Sequence, residues 1–419
     1  MAQPHEGLRI KRAPTNQSSS KQRPISLRGS RSTRRTSTPL AAVVDLALLG
    51  VVGCWGGLLV DGSGLANRWG WQLTDFTSAS VNLDEIEPAG PARDAIPAID
   101  SPHWVNSEQA DPWLHPNEPV VVVHLAQQAR AYPLQILLWH AIVNDRIGGL
   151  PVTVTYSALC NSPAVFDRRL QGQVLDFGST GQVRRSNLIM YDRQTHSWWQ
   201  QLSGEGVVGA HAGRVLAQIP YSVVPYQSFR RTYPRGRILS RQTGYRRPYG
   251  TSPYQGYERI REPPFSFERG FDRRLPPLER VLRVTVRGQD VLYPHSVLER
   301  MPLINDVVAG EPIVVLSRPG TLSVLDQKNI RESRRIRSAN AFSSVVTGIT
   351  LRFARYDGRT IDLQTGSEWN LLGRAVNGRL RGHQLEPVVR GVHFSFAWLA
   401  FEPHSYVYEP PAWAQLPAR

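Results

Sequence analysis

Cysteine is scarce in this chain, and that scarcity excludes more than any motif it carries. Only two cysteines occur in 419 residues, Cys54 and Cys160, so no disulfide framework can brace a small core. Cys54 falls inside an apolar N-terminal segment, badly placed to pair, which leaves Cys160 as a free thiol. Lysine is nearly absent as well: three of the 49 basic residues are Lys. The net charge of +15 is therefore an arginine charge, and residues 1–38 supply a large part of it, with nine Lys or Arg against the single acid Glu6. The remainder is thinly spread, so no nucleic-acid partner is expected. Walker loop, nucleophile elbow and dinucleotide fingerprint are all missing, and no cofactor is named by any motif.

Long apolar runs are also wanting, with one exception. Pro39 to Val60 carries a single charge, Asp45, and is long enough to span a bilayer as one helix. An Asp at the centre of a span costs about 2.5–3.5 kcal/mol, and less near the end, where Asp45 sits. The basic flank, with Arg31, Arg34 and Arg35, orients such a span with its tail in the cytoplasm. The expectation is a single-pass protein of the cell membrane, the lipid bilayer its partner through residues 39–60 and the C-terminal part extracytoplasmic. Two other export routes stay open: a lipoprotein anchored through Cys54 in Val51-Val52-Gly53-Cys54, or a secreted chain cut from its signal.

What the chain does have is itself, twice. Tyr132-Pro133 matches Tyr293-Pro294, Asn144-Asp145 matches Asn305-Asp306, Gly149 matches Gly310 and Pro151 matches Pro312, all at one offset of 161 residues. Farther on, Asp192, Gln194, Thr195, Ser197 and Trp199 face Asp362, Gln364, Thr365, Ser367 and Trp369 at an offset of 170. The expected fold class is α+β: a tandem duplication of a strand-rich mixed α/β unit, preceded by one N-terminal membrane-spanning helix. The expected layout is a basic tail 1–38, an anchor 39–60, a linker 61–98, repeat 1 over 99–242, an Arg/Tyr/Pro-rich connector 243–279, a degenerate repeat 2 over 280–410 and a tail 411–419. Within each copy the pattern predicts a strand such as Pro119 to Leu125, a helix near Leu134 to Val143, a turn at Arg146 to Gly149 and a strand at Pro151 to Ser157.

Duplication supplies an internal control, because residues kept in both copies serve the shared scaffold. His140 faces Met301 and Cys160 faces Thr321 at the offset of 161, so chemistry is expected in the first copy. Cys160 lies just past a strand end, where a loop exposes side chains on a rigid base. A thiol with an ordinary pKa near 8.5 needs a neighbouring cation to become a nucleophile, and His140, Arg168 and Arg169 are candidates. Ser157 and Asn161 are expected to shape the pocket, with Trp139, Arg168, His196 and Glu205 as further binding candidates. Asp192, Trp199 and their counterparts read as core.

The segments ILLWHAIVNDRIGGLPVTVTYSALCNSPAVFDRR and SNLIMYDRQTHSWWQQLSGEG resemble the bacterial family known as domain of unknown function 3179, over about residues 95–408. The resemblance implies thiol redox chemistry: members commonly carry Cys-Pro-Leu-Cys, some with selenocysteine in the second position, where this chain has Ser157-Ala158-Leu159-Cys160. Ser157 thus replaces the first cysteine, and Ala141 a Glu usual after the histidine. With serine at 157 no local disulfide forms, so activity at Cys160 requires an external thiol or redox partner. Three readings follow. One is a thiol oxidoreductase-like site of Cys160, His140 and Ser157; another is a non-catalytic binding or scaffold module of the cell envelope using the cleft between copies; the third is a copper or zinc site among Cys160, His140, His196 and His211.

Overall fold

Two runs of the chain, residues 70–258 and 272–412, are described by the computed structural model. The first half opens with strand β1 (Pro119–Leu125) hairpinned onto β2 (Gln128–Pro133), then helix α1 (Leu134–His140) and strands β3 (Ile142–Ile147), β4 (Leu150–Ser157) and β5 (Ser162–Asp167). Strand β6 (Ser222–Pro225) returns to the free edge of β1, and Arg237–Leu239 runs parallel beside β2. The second half repeats this order with β7 (Arg280–Val286), β8 (Gln289–Pro294), helix α2 (His295–Arg300), β9 (Leu303–Val308), β10 (Glu311–Leu322), β11 (Arg335–Ser343) and β12 (Val389–Phe394). There β12 lies antiparallel to β7, and Tyr406–Val407 runs parallel beside β8.

The α+β expectation is corrected here. Among the described residues strand accounts for 43% and helix for 11%, so this is a strand-rich fold of several small sheets in which helices serve as short links. The physical reason is visible at α1. Its seven residues LQILLWH are apolar nearly throughout, but Ala141 follows with φ 56°, which ends the helix, and the β-branched Ile142 and Val143 pass directly into β3. Helices this short are marginal alone and persist because their faces are buried. The predicted membrane-spanning helix also finds no support: among the described residues none is long and apolar enough to cross a membrane. The run 39–60, on which that expectation rested, lies outside the described residues, as do Cys54 and the basic tail.

Matching residues in the two halves make matching bonds. Tyr132 Oη donates to Asp145 at 2.6 Å and Tyr293 Oη to Asp306 at 2.7 Å. Trp199 Nε1 donates to Asp192 at 2.8 Å and Trp369 Nε1 to Asp362 at 2.9 Å. In each half the same carboxylate takes the following threonine's backbone N–H at 2.6 Å. Even the close approaches recur: a Cβ on Gly209 (φ 95°) would meet Ser197, and one on Gly378 (φ 85°) would meet Ser367.

The halves do not fold as separate globules. Their described residues belong to one compact unit, and β6 packs on β11 while β12 packs on β5. Two backbone bonds tie the seam reciprocally: Phe394 N–H donates to Cys160 C=O at 2.9 Å, and Leu322 N–H to Asn117 C=O at 2.8 Å. One apolar cluster joins Val120, Val122 and Phe229 to Val314, Phe342 and Trp369; each such side chain, fully buried, stabilises the fold by about 1.5–3 kcal/mol.

Candidate functional site

Strand β4 carries the polar side chains Thr153, Thr155 and Ser157 on one face and Val152, Val154 and Tyr156 on the other. A tight turn then brings Cys160 back over the strand end, and Asn161, with φ 49°, closes the hairpin into β5. Asn161 tolerates this left-handed conformation better than most residues, and its Oδ1 accepts Tyr156 Oη–H at 3.0 Å.

Cys160 is fully buried. Its thiol donates to Ser186 C=O at 3.3 Å. Burial pushes the thiol up to about 12, and the hydrogen bonds of Asn187 and Ser157 offset this only in part. A thiol held there is almost entirely protonated at neutral pH, with a thiolate fraction of roughly one in 10⁵. Beneath it lies a buried polar network. Asn187 Nδ2 donates to Gln201 Oε1 at 2.9 Å, Gln201 Nε2 to Thr155 Oγ1 at 2.8 Å, and Gln200 Nε2 to Asn187 Oδ1 at 2.6 Å. Its amides are tied to one another except at Gln200 Oε1, which has no partner, and such networks rigidify a core only as far as they are satisfied.

His140 is not beside Cys160. The reversal at Ala141 turns the end of α1 toward Pro97 and the segment after β6, so both ring nitrogens are taken there: Nδ1 lies 2.8 Å from Pro97 C=O and Nε2 2.6 Å from Tyr249 Oη. A carbonyl only accepts, so Nδ1 carries the hydrogen and Nε2 accepts from Tyr249, whose oxygen lies 2.6 Å from Thr243 Oγ1. Burial, aided by the charge of Arg247, lowers His140 to about 4, the Pro97 bond opposing. A neutral imidazole with both nitrogens engaged supplies no cation to a thiol.

The other expected site residues scatter. Arg168 is buried and bonds Leu175 C=O at 2.9 Å and Asp145 C=O at 3.1 Å, pinning a β-turn. His196 stacks edgewise on Trp71 and Tyr191, and Glu205 accepts Ser80 Oγ–H at 3.1 Å. Trp139 Nε1 donates to Thr251 C=O at 3.1 Å. Among the described residues no group of three His, Cys, Asp or Glu side chains could hold a metal ion, so the copper or zinc reading has no site to rest on.

His140 and Trp139 instead support the floor of a different feature. Residues 243–258 lie against both halves: Ser252 N–H donates to Lys328 C=O and Gly256 N–H to Asp326 C=O. Where the first half, this segment and the second half meet, a groove of about 810 Å³ opens, lined by Trp113, Arg241, Tyr249, Lys328, Arg331 and Glu332 among others. The Arg241 guanidinium sits 4.9 Å from the Trp113 ring centre, and Arg331 Nη2 donates to Trp113 C=O at 3.1 Å. Three cations thus face one carboxylate, and Glu332 accepts Asn329 Nδ2–H at 2.7 Å. Sequence reading missed this set because its members come from three distant segments; the one available signal was the interleaving of Arg and Tyr after residue 241.

No curated protein and no solved structure matches the chain. One family model does, the one described as "Protein of unknown function (DUF3179)", over residues 93–405. That match takes in both halves, the buried cysteine, the displaced histidine and the groove between them, and on it the chain belongs to this family.

Proposed function

We propose that this protein is a non-catalytic binding module whose ligand site is the groove at the junction of its two halves, and that the ligand is a small anion-bearing molecule. The observation that carries this reading is the lining of the groove. Its volume falls within the range of about 300–1,000 Å³ usual for small-molecule sites, and Arg241, Lys328 and Arg331 outnumber Glu332 beside the faces of Trp113 and Tyr249. Arg guanidinium groups suit carboxylate and phosphate oxygens through paired N–H donors.

The thiol-redox reading has one point in its favour: Ser157 and Asn187 hydrogen-bond the sulfur, and such bonds favour a thiolate if the hairpin opens. Against it stand the complete burial of Cys160 and a histidine bonded elsewhere. Neither Cys160 nor Ser157 lines the groove.

Titration of the purified protein with succinate, citrate and pyrophosphate, followed by tryptophan fluorescence, tests the proposal. At least one should bind with a dissociation constant below about 1 mM, and Arg331→Ala should weaken it about tenfold, worth about 1.4 kcal/mol. No saturable change, or an unaltered affinity in Arg331→Ala, would overturn it. In parallel, iodoacetamide should leave Cys160 unmodified until denaturant is added; rapid alkylation of the native protein with an apparent pKa below about 8.5 would restore the redox reading.

A further inference from the structure

A second recess lies on the seam itself, apart from the groove, where β1, α1, β5 and β6 meet β7, α2, β10, β11 and β12. Its lining brings corresponding positions together: Pro119 with Arg280, Leu134 with His295, and Val223 with Val392. The first half contributes apolar side chains at the first two of these pairs, and the second half contributes a guanidinium and an imidazole. Nothing about the shared scaffold demands Arg280 or His295, since Pro119 and Leu134 hold the same places in β1 and α1.

Both side chains are more than nine-tenths buried, Arg280 at 7% and His295 at 9% exposure. Arg280 Nη2 bonds Glu258 and, at 3.2 Å, Ser323 Oγ. Its Nε–H has no partner, and neither has His295 Nε2. An unpaired buried donor costs about 1–3 kcal/mol, more for a charged group, and two on one recess call for a common acceptor. Glu258 is shared between Arg280 and Arg334, Arg337, also on the lining, is offset by Glu299, and the buried Glu279 accepts Ser296 N–H at 2.7 Å beside His295. Three guanidinium groups therefore stand against three carboxylates, and it is the two unmet polar groups that set this recess apart. The free space is small, about 30 Å³, enough for a small ion or a water or two. A monatomic anion accepts from both groups at once through charge-assisted bonds, which are stronger than those a neutral water offers.

We propose that this recess is a binding site for one small monatomic anion of halide size, held by Arg280 Nε–H and the Nε2–H tautomer of His295. Such an anion joins the two halves across their seam, since the ion contacts the second half's donors against the first half's apolar wall. Held between elements of both halves, it stabilises the assembled fold in proportion to its occupancy. Burial, with Arg280 and Arg337 adding, holds His295 neutral down to about 3, so the imidazole takes part as a donor and not as a cation.

The test compares halide with gluconate at equal ionic strength and sodium content. Chloride and bromide should raise Tm of the wild-type protein by about 3 °C or more and should saturate, and bromide-soaked crystals should give one anomalous peak between Arg280 and His295. His295→Leu, which copies Leu134, should abolish both signals, whereas Arg331→Ala in the groove should leave them intact. Equal Tm in the two salts, absence of the bromide peak, or a halide effect unchanged in His295→Leu would each overturn the proposal. The bromide measurement on wild-type protein keeps it testable even if His295→Leu fails to fold.

Discussion

Of two turns and two hairpins, one of each in either half, the turns have stayed alike and the hairpins have diverged. The turns after Asp192 and Asp362 share three bonds: carboxylate to tryptophan at 2.8 and 2.9 Å, carboxylate to threonine N–H at 2.6 Å in both, threonine hydroxyl to serine hydroxyl at 2.8 and 2.7 Å; they differ in the serine N–H, which Thr195 Oγ1 accepts in the first and Asp362 in the second, at 3.2 Å each. The hairpins after β4 and β10 share only their bases. Ser157 opposite Ser162 closes the first within four residues, whereas the second ladder runs past Arg318 opposite Ser338 to Leu322 opposite Arg335 before a longer connection over residues 323–334. The turns keep their polar bonds within their own half, although Trp369 also joins the first half's Val120 and Phe229 in one cluster. Each hairpin tip, by contrast, touches the seam, where identical copies have no reason to make identical contacts, and there one half has become apolar and the other basic.

The largest expected effect tests the sameness of the turns. Asp192→Ala and Asp362→Ala each remove a buried acceptor from a tryptophan N–H, a backbone N–H and a hydroxyl, and each should destabilise by about 3–5 kcal/mol in urea unfolding. If one is nearly silent, the equivalence of the two turns fails. Next in size is the acid response, which sharpens the difference between halves. His140 is lowered by burial to about 4, and His295 and His393 to about 3. A histidine depressed in the folded state binds its proton more readily when unfolded, so stability is full above about pH 6.5 and falls as pH drops from there toward 4. Each imidazole should contribute a slope of about 1.4 kcal/mol per pH unit within that window. His140→Gln and His295→Leu should each flatten the urea-derived stability profile below pH 6.5; a profile unchanged by either variant would mean that imidazole titrates normally. Smallest are the paired hydroxyls: Tyr132→Phe and Tyr293→Phe should each cost about 1 kcal/mol, and thermal unfolding should rank them alike.

Much of this was legible in advance where the chemistry is local. The shared Asp-x-Gln-Thr-x-Ser-x-Trp pattern announced a turn whose atoms all lie within eight residues, and the apolar pattern announced β1, the start of α1 and β4, whereas β2 went unread and the expected helix to Val143 stops at His140, with Ile142 and Val143 already in β3. Reading Trp199 and Asp192 as core was likewise open to anyone comparing the halves. The pairing of Cys160 with Thr321 was not sound, because a gapless offset runs through the extra length of the second hairpin: Asp167, opposite Val152, answers to Ser343, opposite Ile313. His140 could not be placed because its direction depends on the positive φ of Ala141, a residue with no propensity for it. The groove and the seam recess were invisible for a simpler reason. Their residues are joined by packing alone, and no short-range pattern records which strand of one half will meet which strand of the other.

The bond from Phe394 N–H to Cys160 C=O carries a consequence for synthesis. When the turn at Cys160 leaves the ribosome, its partner is more than half of the chain away from being made, and the β5 edge has nothing to pack on. The first half must therefore wait, partly wet, with strands that a neighbouring nascent chain of the same kind would fit equally well. A fold closed by its last strands is slow to finish and prone to swapping while it waits, and crowded translation, more than heat, is the condition under which this protein should misassemble.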